Sequence, residues 1–178
     1  MSNTHPNKIA IIGITGSGKT TLARRLAQDT GYPLVELDEY RFATDGSLKP
    51  EDSFVSEVEH VIDKESWVVE GIFTSVAPVV WRAADVVVWI DVSLPVALRR
   101  TAKRSFKRLV KREPHPGGQM ETWASIMGKD GLLSRLPSRY KRLARKYETA
   151  IEELDIKKKL IRLRSKDEID QWLGQDIT

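Results

Sequence analysis

The sequence predicts an α/β fold in which a five-stranded parallel sheet is covered by helices on both faces, and three observations predict it. Short apolar runs rich in β-branched residues alternate along the chain with longer stretches at helical spacing. The first run, Ile9 to Ile12, is continuous rather than alternating, as in a strand buried on both faces of a parallel sheet. Between it and the first helical stretch stands Gly13-Ile-Thr-Gly-Ser-Gly-Lys-Thr20, a glycine-rich loop placed where a strand hands over to a helix.

The elements follow in order. Thr20 to Gln28 carries Leu22, Ala23, Leu26 and Ala27 at helical spacing. Thr30-Gly-Tyr-Pro33 punctuates the chain, and Leu34 to Leu37 reads as a second strand ending at Asp38. A loop follows. Pro50 with Glu51 and Asp52 has the composition of a helix first turn, and Phe54, Val55, Val58, Val61 and Ile62 mark its apolar stripe. Trp67 to Gly71 is a third strand and Ala84 to Asp91 a fourth. The next helix runs from about Pro95 to Arg112, with Leu98, Thr101, Ala102, Phe106, Leu109 and Val110 expected to face inward. Glu113 to Gly118, with two prolines and two glycines, breaks the chain. A further helical region is expected to be interrupted at Asp130-Gly131 and again near Pro137, before Tyr140, Leu143, Ala144, Tyr147, Ile151 and Leu154 resume the period. Lys159 to Leu163 is a fifth strand. Ser165-Lys-Asp-Glu168 has the form of a capping box opening a last helix whose buried side is Ile169, Trp172 and Leu173.

Composition bounds the organisation. At 178 residues and 40% hydrophobic content, with no Pro/Gly/Ser-rich linker, residues 1–178 are expected to form one domain. No cysteine is present, so disulfides, thiol catalysis and Cys-based zinc sites are excluded. Met1 to Asn7 is polar and no apolar run approaches a membrane span, which makes the cytosol the expected location. The net charge of +4 is modest but unevenly placed.

The loop matches GxxxxGK[ST], a pattern that implies a nucleoside triphosphate with magnesium as ligand. Gly13, Gly16 and Gly18 let the backbone turn sharply and aim its N–H groups inward, so that these, with Thr15, Ser17 and Thr21 beside them, surround a phosphate at the helix N-terminus. Lys19 reaches the β- and γ-phosphates in this reading, and the Thr20 hydroxyl ligates magnesium. Ligands of doubly wound sheets sit beyond the carboxyl ends of the strands. Three of those ends carry acids. Asp38 and Glu70 are candidates for orienting or deprotonating an attacking hydroxyl and for holding magnesium, while Asp91 is equally suited to capping the helix behind it. On the helix after strand four, Arg99, Arg100, Lys103, Arg104, Lys107, Arg108, Lys111 and Arg112 form adjacent i, i+4 stripes without an acid among them. Charge this dense calls for a polyanionic partner, and Arg100 and Arg104, nearest the strand end, are the candidates for neutralising a transferring phosphoryl group. Arg41, between Tyr40 and Phe42, is a candidate clamp for an acceptor's anionic group or an ordinary loop residue. His5, His60 and His115 share no metal-site spacing.

Taken together, GITGSGKTT, LDEY, WVVEG, VVVWID with LPVALRRTAKR, and LIRLRSKDEIDQWL resemble the adenylate-kinase-related P-loop proteins labelled DNA topology modulation or FlaR-type. The resemblance covers most of the chain. It implies a P-loop NTPase three-layer sandwich with strand order 2-3-1-4-5, an acceptor-binding segment after strand two, and an arginine-bearing lid over about residues 99–135. It also implies that Arg164 to Lys166 form the loop bordering adenine, which adds Arg164 and Lys166 to the ATP-binding set. Two departures stand out: strand three ends in Glu70-Gly71 where these relatives commonly read Asp-Gly, and a long acceptor domain between strands two and three is missing.

The expected activity is therefore transfer of the γ-phosphate of ATP, with magnesium, to a small-molecule or nucleotide acceptor. The alternatives are an ATP-driven regulatory switch and a nucleic-acid-associated protein that uses the basic helix. A guanine-reading NKxD is absent, asparagine occurring only at Asn3 and Asn7, which disfavours GTP. With Phe106 expected in the core, base stacking on the basic helix is unsupported.

Overall fold

The computed structural model describes residues 6–71, 73–114 and 120–175. Its five strands, β1 (Lys8–Gly13), β2 (Leu34–Glu36), β3 (Trp67–Glu70), β4 (Val86–Ile90) and β5 (Leu160–Leu163), form one sheet in the order β2-β3-β1-β4-β5. All four pairings are parallel, and β1 lies at the centre between β3 and β4. Along β1 the pleat sends Ile9 and Ile11 to one face and Ala10 and Ile12 to the other, and both faces are buried. That is why this run shows no polar alternation.

Helices cover each face. On one side α1 (Lys19–Thr30) and the last helix α8 (Lys166–Gln175) bring Leu22, Leu26, Trp172 and Leu173 against Ile9, Ile11, Val88 and Ile90. On the other, α3 (Glu51–Ile62), α4 (Ala77–Ala83) and α7 (Leu132–Glu153) pack Phe54, Val58, Trp81, Tyr147 and Ile151 onto Ala10, Val69 and Trp89. The Tyr147 ring meets Trp89 edge-on at 5.4 Å and Trp81 at 6.0 Å, which fixes the rotation of α7 about its axis. Gly31 ends α1 in the left-handed conformation at φ 74°, its N–H donating to the Ala27 carbonyl.

Several expectations are corrected. Strand two stops at Glu36, and Leu37–Tyr40 form one short helical turn, α2, so Asp38 sits in that turn rather than at the strand end. The helix α4 was not read from sequence; its seven residues are too short for a periodic signal. Pro137 does not interrupt α7, which runs unbroken from Leu132, because the proline falls early in the helix and removes a single backbone donor. The helix after β4, α5 (Leu94–Lys111), buries Thr101 as expected, but together with Ala97 and Ser105 rather than Phe106 and Val110. Phe106 is 56% exposed and stacks obliquely on the exposed Trp123 of α6 (Trp123–Met127), its ring 6.3 Å away. Asp91 does not cap α5. Ser93 takes the N-cap position, and Asp91 pairs with Arg162 at 2.7 Å. The last helix opens much as expected: Ser165 Oγ accepts from the Glu168 N–H at 3.1 Å, but Glu168 reaches back to the Arg164 N–H rather than to Ser165. The expected break at Glu113–Gly118 and part of the 99–135 lid region fall on residues 115–119, outside the described residues, as do His5 and His115.

Candidate functional site

The phosphate-binding loop follows β1 directly and is held from beneath by α5. Gly13, Gly16 and Gly18 have φ of 152°, 80° and 109°, and the reason each lacks a side chain differs. A Cβ on Gly16 would lie 2.4 Å from Thr101 Oγ1 and 2.5 Å from the Ala97 carbonyl, and one on Gly13 would lie 2.6 Å from the Ile90 carbonyl. Gly16 and the small residues Ala97 and Thr101 of α5 are thus two halves of one close contact. A Cβ on Gly18 would meet only the Arg100 guanidinium, at an ordinary 3.5 Å, so this position needs its glycine for the left-handed N-cap of α1. Arg100 fastens the loop from the side, donating to the Ser17 carbonyl at 2.7 Å.

Above the loop four charged groups converge. Lys19 Nζ lies over its own loop, 3.3 Å from the Ile14 carbonyl. Desolvation pulls its pKa down, Glu70 and Asp38 oppose that, and Arg104 adds to it, so all three partners act on the same ammonium. Glu70 is 3% exposed and its Oε1 accepts from Thr20 Oγ1 at 2.9 Å. Burial raises its pKa, against the attraction of Lys19 and the Thr20 hydrogen bond. Arg104 is exposed on α5; desolvation and then Arg108 lower its pKa, while Glu121, Asp38 and Glu70 raise it. Asp38 is exposed and faces the cleft.

The loop separates two openings. On one side a cleft of about 440 Å³ is walled by the loop residues Thr15 and Lys19, by Asp38, and by Arg139, Arg142 and Lys146 of α7. On the other an opening of about 350 Å³ is lined by Ser17, Thr21 and Arg100, by Lys166, and by the apolar Leu22 and Leu173. Lys166 thus reaches the loop's far side, where it also pairs with Asp170. Arg164 is exposed and lines neither opening. Arg41 turns away from the cleft: it donates to the Lys49 carbonyl, pairs with Glu51 at 2.8 Å and lies over the Phe54 ring at 5.3 Å, closing the loop between α2 and α3.

Sequence reasoning passed over Arg139, Arg142 and Lys146 on α7 and looked for the cations of the cleft on α5 and at Arg41. The signal was present, since i, i+3 and i+7 place the three on one helix face. What the spacing lacked was the rotation of α7, set by Leu136, Tyr147 and Ile151 in the core.

Magnesium fits this donor set. The Thr20 hydroxyl with the Glu70 and Asp38 carboxylates offers hard oxygens only, and no cluster of three His, Cys, Asp or Glu suited to hold a metal occurs among the described residues. Such a site would suit a cation brought in largely by phosphate and water oxygens, which Thr20 would hold directly and Glu70 through the hydroxyl it engages. Bound there, magnesium would neutralise phosphate charge.

The raised Glu70 pKa yields a stability prediction. Between its ordinary value of 4.5 and its folded value, the folded state holds more protons than the unfolded chain, so stability falls as pH rises through that window and then levels. Glu70→Gln keeps a partner for the Thr20 hydroxyl and removes the charge. Its ligand-free thermal midpoint is expected to match or exceed the parent at pH 7 by about 2–4 °C, the shift that roughly 1 kcal/mol gives at this size, and the gain should vanish near pH 4. A lower midpoint for the variant across pH 4–8 contradicts it.

The family model for an AAA domain matches residues 9–121. Shikimate kinase from Synechococcus sp. (strain CC9902) is 31% identical over 130 residues, 64% of this chain and 67% of that protein. The ATP-dependent protease ATPase subunit HslU of Thermosipho africanus (strain TCF52B) is 42% identical over 57 residues, 32% of this chain and 12% of HslU's own length. Among solved structures, shikimate kinase from Acinetobacter baumannii in complex with shikimate has a TM-score of 0.57 at 17% identity, covering 97% of this chain and 93% of that one, a likeness of fold alone. These matches support a P-loop kinase family at large and do not single out the DNA topology modulation proteins within it. With its phosphate loop under β1 and its 2-3-1-4-5 sheet, the chain has the P-loop NTPase fold and belongs to the AAA domain family, on the kinase-like side of that fold.

Proposed function

We propose that this chain transfers the γ-phosphate of ATP, with magnesium, to a hydroxyl of a small-molecule or nucleotide acceptor. The observation that carries the reading is the pair of openings on either side of one phosphate loop, with Lys19 and Asp38 together in one of them. The opening beside Arg100, Lys166 and Leu173 would take the nucleoside of ATP, its apolar floor under the base. The triphosphate would run across Gly13 to Thr20, and the cleft under α7 would hold the acceptor. Likeness to a shikimate kinase supports a small-molecule acceptor.

In the step, Asp38 takes the proton of the acceptor hydroxyl as its oxygen bonds the γ-phosphorus. The bond from that phosphorus to the β–γ bridging oxygen breaks, ADP leaves with the electron pair, and Asp38 then releases its proton to solvent. Lys19 and Arg104 balance the charge that develops on the transferring group, an electrostatic contribution that grows when the cleft is shut from water.

The test is ATP consumption against a panel of nucleosides, nucleotides, sugars and sugar phosphates, each beside a control without acceptor. Acceptor-dependent ADP formation with a phosphorylated product is the expected result. Turnover at one rate with every acceptor and with none would favour a regulatory ATPase instead.

A further inference from the structure

We propose that the acceptor is a non-aromatic hydroxyl compound that already carries two or more phosphate groups, bound along the basic edge of α7. The inference rests on the kinase reading above and names the substrate class of the same site. The cleft beside Asp38 and a second opening of about 600 Å³ share Thr74, Arg142 and Lys146, so the two are one continuous depression. Arg139 lines its inner part only, Lys141 and Arg145 its outer part only. Arg139 to Lys146 spans about 10 Å along a helix rising 1.5 Å per residue, room for two phosphates of one small molecule.

The charges have no structural use in the fold. All five cations are exposed, and none is joined to an acid by an ion pair among the described residues, whereas Arg135 on the same helix pairs with Asp130. Lys141 with Arg145 and Arg142 with Lys146 are like-charge i, i+4 pairs, an arrangement that destabilises a helix on its own and that a bound polyanion relieves. Among the described residues, Glu153, at the outer end, is the one acid lining that opening. A ligand with a single anionic group would engage the inner cations and leave the outer pair without purpose. Among the described residues no aromatic side chain lines either opening, so a nucleobase would find no ring there to stack on. Such an acceptor is made by a preceding phosphorylation and leaves with a further phosphate.

Calorimetric titration of the full chain, with a non-hydrolysable ATP analogue bound, tests this with five probes: myo-inositol, inositol 1-phosphate, inositol 1,4-bisphosphate, fructose 1,6-bisphosphate and a dodecanucleotide with a free 5′-hydroxyl. At least one bisphosphate is expected to bind about tenfold more tightly than the monophosphate, with myo-inositol undetected. The double variant Lys141→Ala, Arg145→Ala should lose about tenfold for that bisphosphate and stay within about twofold for the monophosphate and the ATP analogue. Failure of both bisphosphates to bind, equal binding of myo-inositol, tightest binding of the dodecanucleotide, or equal losses for the ATP analogue overturns the proposal. The same probes are run with ATP itself. Phosphorylation of neutral polyols only leaves the kinase reading and removes this one. Bisphosphate binding that depends on Lys141 and Arg145, without any transfer, does the reverse.

Discussion

Lys19→Ala is expected to abolish ATP binding and turnover while leaving the protein folded. The Nζ lies over the loop among Glu70, Asp38 and Arg104, where a triphosphate would meet it as the nearest fixed cation. A hydrogen bond between charged groups is worth about 1.5–3 kcal/mol, and the lysine is expected to make more than one, so affinity for ATP should fall about 100-fold or more and turnover by a larger factor. Stability should behave in the opposite way. Desolvation depresses the lysine pKa, so between that lowered value and 10.5 the unfolded chain holds more protons, and stability of the parent rises with pH across that window. Removing the ammonium removes this dependence and its desolvation cost, so the variant's thermal midpoint should not drop at pH 7. Unchanged ATP affinity in a folded Lys19→Ala protein would defeat the nucleotide-binding role of the loop.

Asp38→Asn is expected to reduce phosphoryl transfer by about 10²–10⁴-fold, the range of a lost general base, with ATP affinity held within about threefold. The carboxylate is exposed at the start of a one-turn helix and makes no contact on which the sheet depends, so the amide should fold normally. The readout is kcat measured with the acceptor that the panel identifies, alongside ATP binding by titration. Parallel loss of ATP affinity and kcat would mean that Asp38 holds the metal–nucleotide complex rather than the acceptor hydroxyl. Full activity would move the base to another group.

The sheet was legible because its signals are local. Ile9 to Ile12 is apolar at every position since β1 is covered on both faces, and the glycines after it are required by contacts that any sequence with this motif must accommodate. The pairing of Glu70 with the loop was half legible. Its place after the third strand could be read, but the 2.9 Å bond to Thr20 depends on β3 lying beside β1, where Ile11 and Glu70 are in register. The inward side of α5 was read only in part: Thr101 is buried as expected and Leu98 packs against the core, but hydropathy favours Phe106 and Val110, both exposed, over Ala97, whose small side chain lets the helix approach the loop at Gly16. Arg41 looked like an acceptor clamp between aromatics, yet its aromatic partner is Phe54, from the next helix, and its charge goes to Glu51.

Sequence alone determined that this chain carries a phosphate-binding loop at a strand–helix junction and a parallel sheet to hold it, because strand burial, loop glycines and helix period are all written within a dozen residues. Tertiary structure decided which cations line the cleft beside Lys19 and Asp38. Arg100 became a brace for the loop, Arg41 a tie between helices, and Arg139, Arg142 and Lys146 the wall opposite Asp38. The rotation of a long helix is fixed by which few residues it buries, here Leu136, Tyr147 and Ile151, and that choice is made by the facing side chains of β1, β4 and α4, more than forty residues away in sequence.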